Sequence, residues 1–233
     1  MRLRTFNRHC GFSTVSAHKV RPLNFDREQC FRSLVAHESS RINLFYDCAN
    51  GDWQKHFTFK KEYSDKLSSG KFVNCGTEAG AFRALIEHIC KGDYKDDDII
   101  YVVEDDYMHR KGWEDALRDA FSQTGADYCT LYDHPDKYRD YPNLTSRIFT
   151  GRLCHWRETP STTNTFAARF KTLREDSEIF HEFSTGVDIT RDHHRFLALK
   201  ERKNRLLLSS IPAYSTHMEI SNMSPLWANH TAR

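Results

Sequence analysis

The stretch DIIYVVEDDYMHRKGW, Asp98 to Trp113, decides the fold. Its apolar run, Ile99 to Val103, leads straight into three acids, Glu104, Asp105 and Asp106. The run is continuous and β-branched rather than alternating, which predicts a strand buried on both faces. A buried strand that delivers adjacent carboxylates to its carboxyl end is costly, because like charges repel and burial raises the cost. A cation offsets that cost, and a divalent metal holding a phosphorylated substrate is the leading candidate. Magnesium or manganese keeps several waters, so one or two protein carboxylates suffice. Asp106 is the expected direct ligand, with Glu104 or Asp105 holding a ribose hydroxyl or a metal-bound water. A solvated strand end at a turn is the plain alternative.

Working outward, strand and helix patterns alternate. A first strand is expected near Leu3 to Thr5, with its loop through Asn7, Arg8 and His9. Asp26 to His37 reads as a helix with Asp26 as N-cap and Phe31, Leu34 and Val35 as its apolar stripe. Ile42 to Tyr46 is a short strand ending at Asp47, followed by a turn at Asn50 and Gly51. Lys60 to Lys71 reads as a polar surface segment, and Phe72-Val73 as a short strand stopping at Asn74. Residues 76–90 form a second helix, with Thr77 as N-cap and Phe82, Leu85, Ile86 and Ile89 on one face. Gly112 to Phe121 is a third helix, followed by a strand from Tyr128 to Tyr132. This alternation predicts an α/β layer fold with right-handed crossovers. Ligands of such sheets bind beyond the carboxyl ends of the strands, where Asp47, Asn74 and Glu104 to Asp106 all arrive.

The second half reads differently. Arg152 to Leu173 suggests strands and a substrate-facing loop, Asp188 to Leu199 and Lys200 to Leu208 look helical, and Ser209 to His217 is a loop or short strand. The last sixteen residues read as a tail.

Composition narrows the classes. The chain has 233 residues, 39% hydrophobic and 28% charged, which fits one globular domain. A net charge of +2 with no basic face gives no footprint for nucleic acid. No apolar run reaches about eighteen residues, and the start lacks the apolar core of a signal peptide. Seven scattered cysteines without a CxxC pair fit reduced thiols, so a cytoplasmic location is expected, with neither a zinc cluster nor a disulfide scaffold. The sequons at Asn143, Asn222 and Asn229 carry little weight without a signal.

The segments FNRHCGF, YDCANGD, NCGTEAGAFRAL and VVEDDYMHRKGW, in this order and spacing over residues 1–135, resemble the nucleotide-sugar half of inverting, family 2-like glycosyltransferases of the GT-A fold. The resemblance implies a GT-A (Rossmann-like) mixed central sheet flanked by helices, as a single domain. Residues 1–135 would be the nucleotide-sugar-binding half and residues 136–233 an acceptor-side elaboration. It implies transfer of a sugar from a nucleoside-diphosphate sugar to the hydroxyl of a glycan or lipid-linked acceptor, with inversion. Thr5, Asn7 and Arg8 match the element at the end of the first strand, Asp47 the base-reading acid, Asn74 and Gly76 the next turn, and Glu104-Asp105-Asp106 the metal motif. The chain departs from the pattern in having Glu first in that motif and Asp47-Cys48-Ala49-Asn50-Gly51 after the second strand. The second half resembles small stand-alone transferases of bacteria and large viruses, which places the protein in the cytoplasm of a bacterium or an infected host cell.

The resemblance extends to later residues. A late histidine, here His217, completes the metal shell around manganese or magnesium or touches the diphosphate; a packed loop histidine is the alternative. The general base that takes the acceptor proton is expected at Asp188 by position, with Glu182 as competitor and Glu158 and Asp133 behind. Asp188 as a simple N-cap is the competing reading. The stretch Arg152, His155, Arg157 and Thr159 to Thr163 is a candidate for diphosphate or acceptor binding, or an exposed loop. Trp156 and Trp227 are candidate sugar platforms or ordinary buried aromatics. His193-His194, adjacent on a helix, do not share a face and make a poor metal pair. Arg191 to Arg205, with Phe196, Leu197 and Leu199, is either a solvated helix face or a peripheral contact to a membrane carrying a lipid-linked acceptor. Two other functions compete: a two-metal nuclease or phosphohydrolase, and a non-catalytic nucleotide-sugar-binding module.

Overall fold

A computed structural model describes residues 1–10, 19–36, 42–48 and 58–227 of the chain. Its axis is β4 (Ile99–Glu104), the predicted buried strand. Ile99, Tyr101 and Val103 enter one apolar core and Ile100 and Val102 enter the other, so a strand with no polar face is what the two-sided burial requires. β4 pairs in parallel with β1 (Leu3–Cys10), which pairs in parallel with β2 (Ile42–Asp47), and β2 with β3 (Leu67–Val73). The first strand is longer than expected, so Asn7, Arg8 and His9 belong to β1 and not to a loop. The polar segment around Lys60 to Lys71 is a 3-10 helix, Thr58–Lys66, followed by the start of β3 at Leu67. The predicted turn at Asn50 and Gly51 lies outside the described residues.

The remaining strands are β5 (Tyr107–His109), β6 (Tyr128–Thr130), β7 (Ile148–Thr150), β8 (His155–Glu158), β9 (Phe166–Arg169), β10 (Leu207–Ile211) and β11 (Ser215–His217). The main sheet runs β3-β2-β1-β4-β9-β6-β10-β8-β7. β9 is antiparallel to both β4 and β6, so the sheet is mixed and a strand from the second half of the chain inserts into its middle. β5 and β11 form a separate antiparallel ribbon that pairs Tyr107 with His217.

Helix α1 (Arg27–Val35), capped by the Asp26 carboxylate, and α3 (Trp113–Gln123) cover one face. α3 starts at Gly112, whose φ of 83° is a left-handed conformation that glycine adopts without strain. The opposite face is covered by α2 (Glu78–Cys90), capped by Thr77, with α5 (Phe170–Glu175), α6 (Ser177–Glu182) and α7 (Asp192–Lys203). A short α4 spans Asp136–Arg139. The helix expected over Lys200 to Leu208 stops at Lys203: Asn204 takes a left-handed φ of 52° and the chain turns into β10. Residues 220–222 of the expected tail form a 3-10 turn whose Ile220 N–H donates to the Val20 carbonyl. Among the described residues no helix is long and apolar enough to cross a membrane.

Candidate active site

The carboxyl ends of β1 and β4 open into a cavity of about 270 Å³. The register of these strands sets Arg8 directly beside Glu104. Arg8 is almost fully buried, pairs with Glu78 at the first turn of α2, and keeps Nη1 3.9 Å from Glu104 Oε1. Glu78 is a hub: Oε1 also accepts from Asn164 Nδ2 at 3.0 Å, and Oε2 accepts from the Thr190 backbone N–H at 2.7 Å. Behind it, Asn164 Oδ1 accepts from Arg195 at 2.9 Å. The Arg195 guanidinium is wholly enclosed among Phe82, Phe166, Phe180 and Phe196, and burial lowers its pKa to about 10.

The acids separate by environment. Asp105 pairs with Arg27 at 3.3 Å. Burial pushes the Glu104 carboxyl up to about 7, against the pull of Arg8. Asp106 is buried, yet its carboxyl is held well below the usual range: burial would raise it, but His217, Lys19 and Arg21 outweigh that. Its Oδ2 receives Arg21 Nη2 at 2.8 Å and Lys19 Nζ at 3.2 Å, and lies 3.0 Å from His217 Nε2. Its Oδ1 is buried without a partner.

His217 reaches this place through the β5–β11 ribbon, 111 residues along the chain from Asp106. The Met218 N–H donates to the Asp106 carbonyl at 2.9 Å, and the Tyr107 ring stacks on the imidazole at 5.1 Å. His217 Nδ1 stands 3.5 Å from Glu219 Oε2, a carboxylate placed to orient the ring.

A divalent ion fits this donor pair in part. One carboxylate with a partnerless oxygen and one imidazole suit a hard ion that completes its shell with water and phosphate oxygens. Among the described residues no three His, Cys, Asp or Glu side chains converge as an all-protein metal cage, nor as the multi-acid site a two-metal hydrolase uses.

Of the predicted residues, Arg8, Glu104, Asp105, Asp106 and His217 line one cavity. Thr5 and Asn7 are enclosed within β1, between β2 and β4, and do not line it. Asp47 is fully buried at the end of β2, where Oδ1 accepts the Cys75 N–H at 2.7 Å, and Asn74 is exposed just beyond β3. Asp188 is exposed outside the cavity lining and gives α2 its backbone carbonyl, which accepts the Ala79 N–H. Glu182 is exposed and forks onto Arg202, and Glu158 pairs with Arg147 and Lys200. Asp133 is buried against Arg157 and Tyr138. Trp156 is buried, and Trp227 is buried beneath Arg110, so neither presents a face to sugar.

Sequence reasoning missed Asp192, Glu78, Asn164, Lys19 and Arg21. Asp192 opens α7, lines the cavity, and burial raises its pKa. It lies four residues past Asp188 in the same turn-rich stretch, so the segment that reaches the cavity was legible and the acid that lines it was not.

No protein-family model matches the chain, and no curated protein matches it in sequence. Solved structures do match in shape. S. aureus TarS 1-349 superposes with a TM-score of 0.56 at 14% identity, covering 92% of this chain and 60% of that one. The same fragment in complex with UDP-GlcNAc gives 0.57 at 16% identity, covering 92% and 58%. The 4-diphosphocytidyl-2C-methyl-D-erythritol synthase of Anaerococcus prevotii gives 0.50 at 10% identity, covering 99% and 93%. The fold is therefore GT-A-like, a Rossmann-like mixed sheet flanked by helices. The chain spans about three fifths of the TarS fragments it matches.

Proposed function

We propose that this protein is a glycosyltransferase that takes a sugar from a nucleoside-diphosphate donor and passes it, with inversion, to an acceptor hydroxyl. One observation carries the reading: the cavity at the ends of β1 and β4 joins a buried acid, Asp106, to a ring of cations, Lys19, Arg8 and Arg27, at the edge where sheets of this class bind ligands. A neighbour of the same fold, solved with UDP-GlcNAc, supports the donor class.

In this reading the nucleoside lies toward β2 and β3, near Asp47 and Asn74. Lys19, Arg27 and Arg8 offset charge on the diphosphate, which is a transition-state gain because that charge grows as the glycosidic bond breaks. Asp106 and His217 would hold manganese or magnesium, which supplies Lewis-acid stabilisation of the leaving diphosphate. Asp192 takes the proton of the attacking hydroxyl. Its raised pKa makes it a stronger base than a solvated carboxylate, and Thr190, held by Glu78, fixes the loop that presents it. The acceptor enters from the side of His134 and Thr163, which line the same cavity.

A panel of nucleotide-sugars, with and without manganese, tests the reading by thermal shift and donor hydrolysis. One donor class should raise the melting temperature, because a ligand that binds only the folded chain stabilises it by mass action. Absence of stabilisation and of turnover with every nucleotide-sugar would refute it.

A further inference from the structure

The position between Asp106 and His217 already holds a cation that belongs to the chain. Lys19 Nζ lies 3.2 Å from Asp106 Oδ2 and 3.2 Å from His217 Nε2, and those two atoms are 3.0 Å apart. An ammonium at that point faces the two groups that a divalent ion would use. The partnerless Asp106 Oδ1, enclosed in the protein, marks unused donor capacity on the same carboxylate.

The two basic side chains on Asp106 differ in how they are held. Arg21 is fixed from several directions: Nη2 on Asp106 at 2.8 Å, Nη1 on the Met218 carbonyl at 2.7 Å, and its guanidinium over the Phe25 ring at 4.4 Å. The backbone between the two residues is tied down through the Val20 carbonyl, which accepts the Ile220 N–H. Lys19 has no such lock. Among the described residues its side-chain partners are Asp106 and His217 themselves, it keeps more exposure than Arg21, and its stem has four rotatable carbons. An ammonium and a divalent ion repel strongly at contact distance in a buried site, so one position cannot serve both.

We propose that Lys19 is an internal counter-cation that occupies the cation position between Asp106 and His217, and that a divalent ion must displace it. The displaced ammonium stays tethered at the cavity wall beside Arg27 and Arg8, where it can meet the donor diphosphate. Arg21 remains behind as the permanent partner of Asp106. This rests on reading Asp106 and His217 as metal donors, but not on the transfer chemistry.

The test uses the full chain and manganese alone, followed by calorimetry. Lys19→Met removes the competing charge while keeping an apolar stem. It should bind manganese about tenfold tighter than the wild type, the scale on which groups around a metal's ligands alter affinity. Asp106→Asn should lose that binding in either background. In the wild type, saturating manganese should also speed acylation of Lys19 by an amine-specific reagent, read by mass spectrometry of its peptide. That readout needs no variant to fold. Equal manganese affinity in wild type and Lys19→Met, no manganese binding by either, or a Lys19 acylation rate indifferent to manganese would each overturn the proposal. None of these results decides donor binding or transfer, which the nucleotide-sugar panel judges separately.

Discussion

The Glu78 carboxylate accepts the Thr190 backbone N–H at 2.7 Å, and this bond ties the first turn of α2 to the loop that leads into Asp192 at the start of α7. The other oxygen of Glu78 serves Arg8 and Asn164, so one side chain couples β1 to residues of the second half of the chain. Burial opposes its charge, but Arg8 and Thr190 outweigh burial and lower its pKa.

Glu78→Gln should therefore destabilise the fold and loosen the site together. The variant keeps the size but takes from the buried Arg8 guanidinium its nearest carboxylate, leaving Glu104 at 3.9 Å. Removing one partner of a buried pair costs about 3 to 5 kcal/mol, and the amide that remains recovers part of it, so a loss of about 2 to 4 kcal/mol is expected in urea denaturation. Nucleotide affinity should fall as well, because Arg8 faces Glu104 across the strands. A variant as stable as the wild type would show that Arg8 finds another partner.

Asp192 and Asp188 make opposite predictions. Asp192 lines the cavity and Asp188 does not. Asp192→Asn should lower the turnover number by about 100-fold or more while leaving the donor dissociation constant near its wild-type value, the pattern of a lost general base. Asp188→Asn should stay within about threefold, since its backbone carbonyl, not its carboxylate, makes the contact with α2. Steady-state kinetics with a matched donor and acceptor decides between them, and the reverse ranking would return the role to Asp188.

What could be read from the sequence was whatever the local chain dictates. The run Ile99 to Val103, the caps Asp26 and Thr77 and the acid cluster follow from residues within a few positions of one another, and the structure holds all of them. His217 was legible by resemblance alone, since the ribbon that brings it to Asp106 pairs segments about a hundred residues apart. Long-range insertion was not legible: nothing near Phe166 to Arg169 announces that it enters the sheet antiparallel beside β4. Arg8 and Asn7 were misplaced because a polar pair at a strand end looks like a loop until Glu78 supplies the buried counter-charge. Arg195 carried little local signal: of its four phenylalanines only Phe196 neighbours it in α7, while Phe82, Phe166 and Phe180 come from three other elements.

A second buried pair gives a prediction away from the site. Asp176 is fully buried, and Arg205 donates to its two oxygens at 2.8 and 2.9 Å while the Tyr128 hydroxyl donates at 2.8 Å. Arg205→Ala would leave that buried side chain without its guanidinium partner on the α6–α7 side of the core. A loss of about 3 kcal/mol is expected, visible as a drop of several degrees in melting temperature, with Lys203 at 3.9 Å too distant to replace the fork. Arg205→Lys should recover part of the loss, because it restores the charge but not the two-pronged geometry. An unchanged melting temperature in Arg205→Ala would mean that the fork on Asp176 contributes nothing to the stability of the fold.

His109 makes stability depend on pH in a stated direction. Its ring is buried with Nε2 2.8 Å from the Tyr101 hydroxyl, and burial pushes its pKa down to about 3. An exposed histidine in the unfolded chain titrates near 6.5. Between those values the unfolded chain binds a proton that the folded chain refuses, so stability must fall as pH drops. The contribution is complete above about pH 6.5 and is lost progressively down to about pH 3. From about pH 7.5 to about pH 4.5 the expected loss is about 2 to 3 kcal/mol from this residue. His109→Gln keeps a polar group opposite Tyr101 but cannot titrate. It should cost about 1 kcal/mol at neutral pH and less than nothing at acid pH, where the wild type has fallen below it. Urea denaturation of both proteins across this range would show two curves that cross. Curves that run parallel would mean that His109 accepts its proton in the folded state, and that the Tyr101 hydroxyl is then paired with an imidazolium.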